Sequence, residues 1–219
     1  MTTTAEQAPA AAPQAFSKAP GTRVALVTGA SSGIGEDTAH KLRALGYIVY
    51  GAARRTDRLQ ALTTDGIRPL VMDVTDDASM SSGVNRILEE TGRIDVLVNN
   101  AGFGLGQRFV GGDLAREECA LDVMVRAVMV ASHAAAGAMV ERGRGAILNV
   151  SSMTAHTAMG TYAAHKAWVL RFTEGLASEL AGTGVSATAL CPGLVHTGFH
   201  AAAGIDETQW KAPLWLDAE

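Results

Sequence analysis

Little in this chain of 219 residues points to chemistry done by sulfur or metal. It has two cysteines, Cys119 and Cys191, in different segments and without ligand-type spacing. That excludes a disulfide scaffold or zinc module and fits a reduced, cytoplasmic protein with no metal site. Charged residues make up 18% and sum to a net charge of −4, so nothing favours a nucleic-acid partner or an anionic membrane surface. After residue 20 no stretch reads as apolar and uncharged over the ~18 residues that a spanning helix needs, so no membrane partner is expected. Residues 1–20 lack arginine and any long apolar run. They are rich in Ala, Pro and Thr and read as a disordered leader rather than a targeting segment.

What is present is 47% apolar residues, arranged in alternation. Short apolar runs at 23–28, 47–52, 67–72, 94–98, 146–150 and 185–190 read as strands. Between them, segments at 33–46, 57–65, 77–91, 113–141 and 161–181 read as helices, with Asp76 able to cap the third. Continuous apolar strands alternating with helices predict an α/β domain over residues 21–219, its parallel sheet covered on both faces. The stretch Leu121–Ala131 is apolar nearly all round, which predicts burial on more than one side. Residues 198–211 read as loop and short helix, a lid-like segment.

Two stretches carry chemistry. Thr28-Gly29-Ala30-Ser31-Ser32-Gly33-Ile34-Gly35 is a glycine-rich turn between the first strand and first helix. Such a turn lets backbone approach a pyrophosphate and aims helix amides at it, although glycines also stand at strand–helix turns for packing alone. The second strand runs into Arg54-Arg55 with no acid before Asp57. Guanidinium groups there suit a ribose 2′-phosphate, so NADP(H) is favoured over NAD(H); the plainer reading is a solvated pair bridged to Asp57. Asp73, after the third strand, either accepts from an adenine amino group or caps the next turn. Farther on, Tyr162 and Lys166 stand four apart, on one face of a helix. A free phenol has a pKa near ~10, and an ammonium at ~4 Å is worth about 4 kcal/mol at an effective dielectric of ~20. By that estimate one well-placed lysine brings the phenol near neutrality.

Taken together, these residues resemble the short-chain dehydrogenase/reductase family in its short single-domain form. The resemblance rests on Thr28–Gly35, Asp73-Val74, Asn99-Asn100-Ala101-Gly102, Ile147–Ser152, Tyr162-xxx-Lys166 and Cys191-Pro192-Gly193-Leu194-Val195-His196-Thr197, in the family's order. It implies a doubly wound, Rossmann-like parallel sheet in one domain. It also implies an oxidoreductase that moves hydride between nicotinamide and an alcohol or ketone. Tyr162 would be the acid/base, Lys166 its partner and ribose clamp, and Ser152 the group holding the substrate oxygen, with Ser151 a fallback. Cofactor contacts would come from Gly29, Ser31, Ser32, Gly33, Ile34, Gly35, Arg54, Arg55, Asp73, Val74, Asn100, Ala101, Gly102, Pro192, Gly193, Val195 and Thr197, besides Tyr162 and Lys166. Asn99 would steady the sheet. The apolar helices at 113–141 and 161–181 imply a homodimer or homotetramer.

Three departures accompany the resemblance. Met124 stands where relatives carry a proton-relaying asparagine, and a thioether cannot donate. The interval from Ser152 to Tyr162 is about three residues shorter than usual. The chain ends at Glu219, where relatives continue into a last edge strand, so a sheet lacking that strand is expected. Phe103, Leu105, Met159, Leu194 and Phe199 flank the site and imply a small or medium apolar carbonyl or alcohol substrate. The alternative is a catalytically degenerate NADP-binding regulator or scaffold of the same fold.

Overall fold

Alternate residues of the first strand point to opposite sides of a sheet, and each side has its own core. In the computed structural model, which describes residues 22–199 and 215–217, β1 (Val24–Thr28) is buried along its whole length. Val24 and Leu26 pack with Tyr50, Leu97, Ile147 and Met139 on one face. Ala25 and Val27 pack with Ala39, Val49, Leu59 and Val98 on the other. Burial on both faces is why these strands read as unbroken apolar runs.

Six parallel strands lie in the order β3-β2-β1-β4-β5-β6. They are β1, β2 (Ile48–Ala53), β3 (Arg68–Val71), β4 (Val96–Asn99), β5 (Gly145–Val150) and β6 (Val185–Leu190). The chain winds outward from β1 to β3, then returns to place β4 beside β1. Reversal at that point opens a crevice at the carboxyl ends of β1 and β4, the usual ligand position in such a sheet. The helices are α1 (Gly33–Ala44), α2 (Thr56–Ala61), α3 (Asp77–Thr91), α4 (Leu114–Leu121), α5 (Ala127–Glu141) and α6 (Gly160–Glu179). Asp76 caps α3 as expected, accepting from Ala78 N.

Several expectations need correction. The segment 113–141 is α4 and α5 joined by a π-helical turn, Asp122–Arg126, whose wider pitch carries Met124. Within one copy this segment buries one side only. Ala127, Val128, Ser132 and Met139 face the core, while Leu121 and Met129 are 47% and 45% exposed. By length and composition Leu114–Glu141 is also apolar enough to cross a membrane, contrary to the sequence reading; here its inner side packs on the sheet. The sheet is not covered throughout either: Ser186, Thr188 and Leu190 of β6 are exposed, and β6 is the sheet's edge among the described residues. A second, two-stranded sheet pairs β7 (Leu194–His196) with β8 (Trp215–Asp217), neither of which was foreseen. The leader 1–20 and most of the lid-like segment, residues 200–211, lie outside the described residues.

A buried polar network holds the centre. Asn99 donates to Asn149 Oδ1 (2.9 Å) and Ser132 Oγ (3.1 Å), and Asn149 donates to Thr173 Oγ1 (2.9 Å). It ties β4 and β5 to α5 and α6, as the resemblance implied for Asn99.

Candidate active site

The turn after β1 and the turn after β4 are built as one unit. Asn100 Nδ2 donates to Thr28 O (3.0 Å) and Gly29 O (3.2 Å), while Thr28 Oγ1 accepts from Asn100 N and Ala101 N. Gly29 sits at φ +67°, and a Cβ there would lie 2.8 Å from Ala101 Cα. A Cβ on Gly35 would collide with Asn100 Nδ2 and Gly29 O. Thr197, in the loop after β7, closes over Gly33. Ser32 precedes α1 without a side-chain cap, so the first-turn amides of α1 have no side-chain acceptor. Free helix-start amides at the mouth of the crevice fit the phosphates of a dinucleotide. Gly35→Ala is expected to cost several kcal/mol, because the clash is with backbone and a fixed amide. Urea unfolding of the variant checks it.

At the end of β2 the two arginines differ. Arg55 is folded onto the turn, donating from Nη2 to Ser31 Oγ (2.8 Å) and Ser32 Oγ (2.9 Å) and from Nε to Ser31 Oγ (3.2 Å). Arg54 reaches outward, its Nη1 3.9 Å from Asp73 Oδ2. Neither pairs with Asp57 in a resolved contact. Asp73 accepts at Oδ1 from Thr75 N (3.0 Å) and Thr75 Oγ1 (2.7 Å), the turn-capping reading. Those two bonds, with Arg54, hold its carboxyl below the usual range. Val74 packs into the cores beside it.

Tyr162 and Lys166 share a face of α6, as their spacing requires. The Lys166 ammonium stands 5.7 Å from the centre of the Tyr162 ring and donates to Val150 O (2.8 Å). It is 5% exposed, and burial pushes it down to about 8. Burial pushes the Tyr162 phenol up to about 12, against the pull of its hydrogen bond with Ser152. This corrects the sequence estimate. Burial outweighs the neighbouring ammonium, so the lysine does not bring the phenol to neutrality.

Ser152, not Ser151, faces the phenol. Ser151 Oγ donates to Lys166 O (2.7 Å) and is 2% exposed, so it is a fastener for α6. The short Ser152–Tyr162 interval is closed by a 3-10 turn, Met153–His156, started by Ser152 Oγ accepting from Thr154 N, and by Gly160 at φ +70°. Met153 N donates to Pro192 O (2.9 Å), tying this turn to the Pro192-Gly193 loop. A Cβ on Gly102 would stand 3.5 Å from the Met124 side chain and 3.6 Å from Lys166 Nζ. Met124 is fully buried with Ala120, Val123 and Leu105, against Phe103 and Tyr162. Leu105 is 6% exposed within this cluster. Phe199 packs against Tyr162 at 5.7 Å between ring centres, and Met159 is exposed at the rim. Val195 is buried in β7 and Ile34 is half-buried at the start of α1.

One residue beside this group escaped the sequence reading: Glu117, a buried acid on α4. Its signal was a carboxylate on the same helical stripe as Ala120 and Met124, at spacings of three and seven.

Known proteins are similar to this chain in sequence and fold. The family model for short chain dehydrogenases matches residues 23–208. A putative ketoacyl reductase of the monensin polyketide synthase from Streptomyces virginiae is 42% identical over 188 residues, spanning 80% of this chain and 71% of that protein. An uncharacterized oxidoreductase from Staphylococcus saprophyticus is 34% identical over 205 residues, 89% of this chain and 86% of the relative. A short-chain dehydrogenase from Sphingobium yanoikuyae, solved in complex with NADPH, superposes with a TM-score of 0.80 at 32% identity, covering 90% of this chain and 80% of that one. A 3-ketoacyl-(acyl-carrier-protein) reductase from Brucella melitensis, complexed with NADH, gives a TM-score of 0.77 at 29% identity, covering 82% and 79%. With the match running from β1 through the Tyr162–Lys166 helix and beyond, this chain belongs to the short-chain dehydrogenase/reductase family of oxidoreductases.

Proposed function

We propose that this oxidoreductase is an NADP(H)-dependent ketone reductase and alcohol dehydrogenase in which Tyr162 moves the proton. The observation that carries the reading is the Tyr162 phenol hydrogen-bonded with Ser152, with the buried Lys166 ammonium over its ring. The turn Gly29–Gly35, Asn100, Ala101, Gly102 and the Pro192–Thr197 loop would hold the dinucleotide, with Lys166 at its nicotinamide ribose. When bound, it supplies the hydride taken up at the carbonyl carbon. The Ser152 hydroxyl holds and polarises the carbonyl oxygen. Tyr162, fully protonated at neutral pH, gives its proton to that oxygen. Phe103, Met159, Leu194 and Phe199 favour an apolar substrate, in keeping with the ketoacyl reductase names of two similar proteins. Oxidation of NADPH by a panel of apolar ketones and β-ketoesters, followed by absorbance, tests the activity. No oxidation over a wide panel would overturn it.

The preference for NADP(H) rests on Arg55. Its guanidinium is already locked to Ser31 and Ser32 beside a crevice with no competing acid at the end of β2. Charge-assisted bonds to a phosphate are worth about 1.5–3 kcal/mol, so Arg55→Ala is expected to weaken NADPH binding by about 10–100-fold and leave NADH nearly unaffected. Titration calorimetry with both cofactors reads this directly.

Met124 favours a second reading. With this buried thioether beside Lys166, the site has no side-chain relay at that position, and a cofactor-binding protein without turnover would look the same. That reading requires NADPH binding with no ketone reduction. Leu121 and Met129 on one helix segment, and the stacked Trp168 and Phe172 on α6 (4.8 Å), give apolar surface for a homodimer. Light scattering at micromolar concentration would show twice the chain mass.

A further inference from the structure

We infer that Glu117 is a positioning residue for Tyr162: its carboxylate joins the loop after β4 to the first turn of α6 and so sets where the phenol stands. The inference rests on the acid/base reading of Tyr162 given above. Glu117 is 8% exposed, and a carboxylate buried to that degree is costly unless its oxygens are hydrogen-bonded. Both are. Thr161 Oγ1 donates to Oε2 at 2.6 Å and Gln107 Nε2 donates to Oε1 at 2.9 Å. These bonds, Thr161 first, hold the carboxyl below its ordinary range, so it is an anion at neutral pH.

The two donors come from the two elements that enclose the phenol. Thr161 immediately precedes Tyr162. The start of α6 has no side-chain cap of its own, since Met159 supplies none, and Gly160 there sits at φ +70°. An anion at that helix start opposes the positive end of the dipole and stiffens a turn with little else to fix it. Gln107 lies in the loop after β4 and also bonds Asp113, accepting from its N (3.2 Å) and donating to its O (3.0 Å). Asp113 caps α4, and Arg116 of α4 donates to Leu105 O (2.7 Å). The loop is thus pinned to α4 by Gln107 and Arg116, and α4 to α6 by Glu117. On the same stripe of α4, Ala120 and Met124 pack with Phe103 and Tyr162. The polar link and the apolar contact clamp Tyr162 from one helix.

The test uses three variants of the full chain. Glu117→Leu removes the anion, Thr161→Val removes its partner, and Glu117→Gln keeps an acceptor oxygen. Loss of positioning lowers kcat without changing the cofactor KM. Glu117→Leu is expected to lose about tenfold in kcat, Thr161→Val a similar amount, and the double variant no more than either, as for two ends of one contact. Glu117→Gln is expected to restore most of the loss. Backbone hydrogen exchange over residues 157–166, read by mass spectrometry, is expected to quicken in Glu117→Leu. Unchanged exchange there overturns the inference whatever the turnover; so does faster exchange with wild-type kcat, or losses that add in the double variant. Turnover of Tyr162→Phe, a measurement without Glu117, tests the acid/base reading separately.

Discussion

Replacing Tyr162 by phenylalanine is expected to lower ketone reduction by about 10²–10⁴-fold, the usual worth of a positioned general acid, and to leave NADPH affinity nearly unchanged. The ring remains to pack with Met124 and Phe199, so only the hydroxyl is lost. Steady-state kinetics beside calorimetric titration of NADPH separates the two effects. Turnover within threefold of wild type would remove Tyr162 from the mechanism.

On the proposed acid/base reading, the same phenol would set the direction of the reaction with pH. Burial holds it at about 12, so from the chain's own groups it is a proton donor throughout the neutral range. Reduction needs that donor. Alcohol oxidation needs the phenolate, which at pH 7 costs about 7 kcal/mol for a group five units below its pKa. A bound oxidised nicotinamide would supply positive charge that offsets part of this cost. Alcohol oxidation is therefore expected to rise steeply from pH 7 to 9 while reduction does not. Parallel pH profiles for the two directions would contradict this.

Lys166→Met is expected to abolish most turnover and yet stabilise the fold at neutral pH. The native lysine titrates at about 8 instead of 10.5 because it is buried, against a smaller opposing pull from Cys191, with Val150 O accepting its hydrogen bond. Between pH 8 and 10.5 the unfolded chain binds more protons than the native one, so stability rises with pH through that window. Below it the whole penalty, about 3 kcal/mol, is present. Methionine fills similar volume without charge and forfeits a hydrogen bond worth about 1 kcal/mol. The net gain at pH 7 is about 2 kcal/mol, or about 4–8 °C in Tm for a chain of this size. The gain disappears above pH 10.5, where the native and unfolded lysines are both neutral. Thermal melts at pH 7 and pH 10.5 check the sign, and a variant less stable than wild type at pH 7 would refute it. A buried lysine kept at such a cost is the expected mark of a functional site.

Much of this was legible in the residues. The apolar runs at β1 and β2 told of strands buried on two faces, and the winding followed from the alternation of strands with helices. Tyr162 and Lys166 had to share a face because α-helical pitch brings residues four apart into line. Asp76 capped α3 because a carboxylate before an apolar period satisfies free amides. Asp73 Oδ1 caps the turn at Thr75. Other expectations failed where distance in space, not in sequence, decides. Leu121–Ala131, apolar nearly all round, reads as buried on more than one side, but composition cannot say how many neighbours a helix meets. Ser151 and Ser152 are indistinguishable as letters; the extended backbone after β5 turns one to α6 and the other to the phenol.

The order of residues alone determined the parallel α/β layering, the glycine turn, the arginines after β2 and the Tyr162–Lys166 pair. Each depends on local period or on contacts within a few residues, which the chain writes directly. Only the tertiary structure decided that Arg55 folds onto Ser31 and Ser32, that burial rather than Lys166 dominates the phenol, and that Glu117 reaches Thr161. Those outcomes depend on how far charges lie from water and from each other across elements up to 44 positions apart in sequence. Distances between packed elements and the dielectric around a charge come into being only when the layers close.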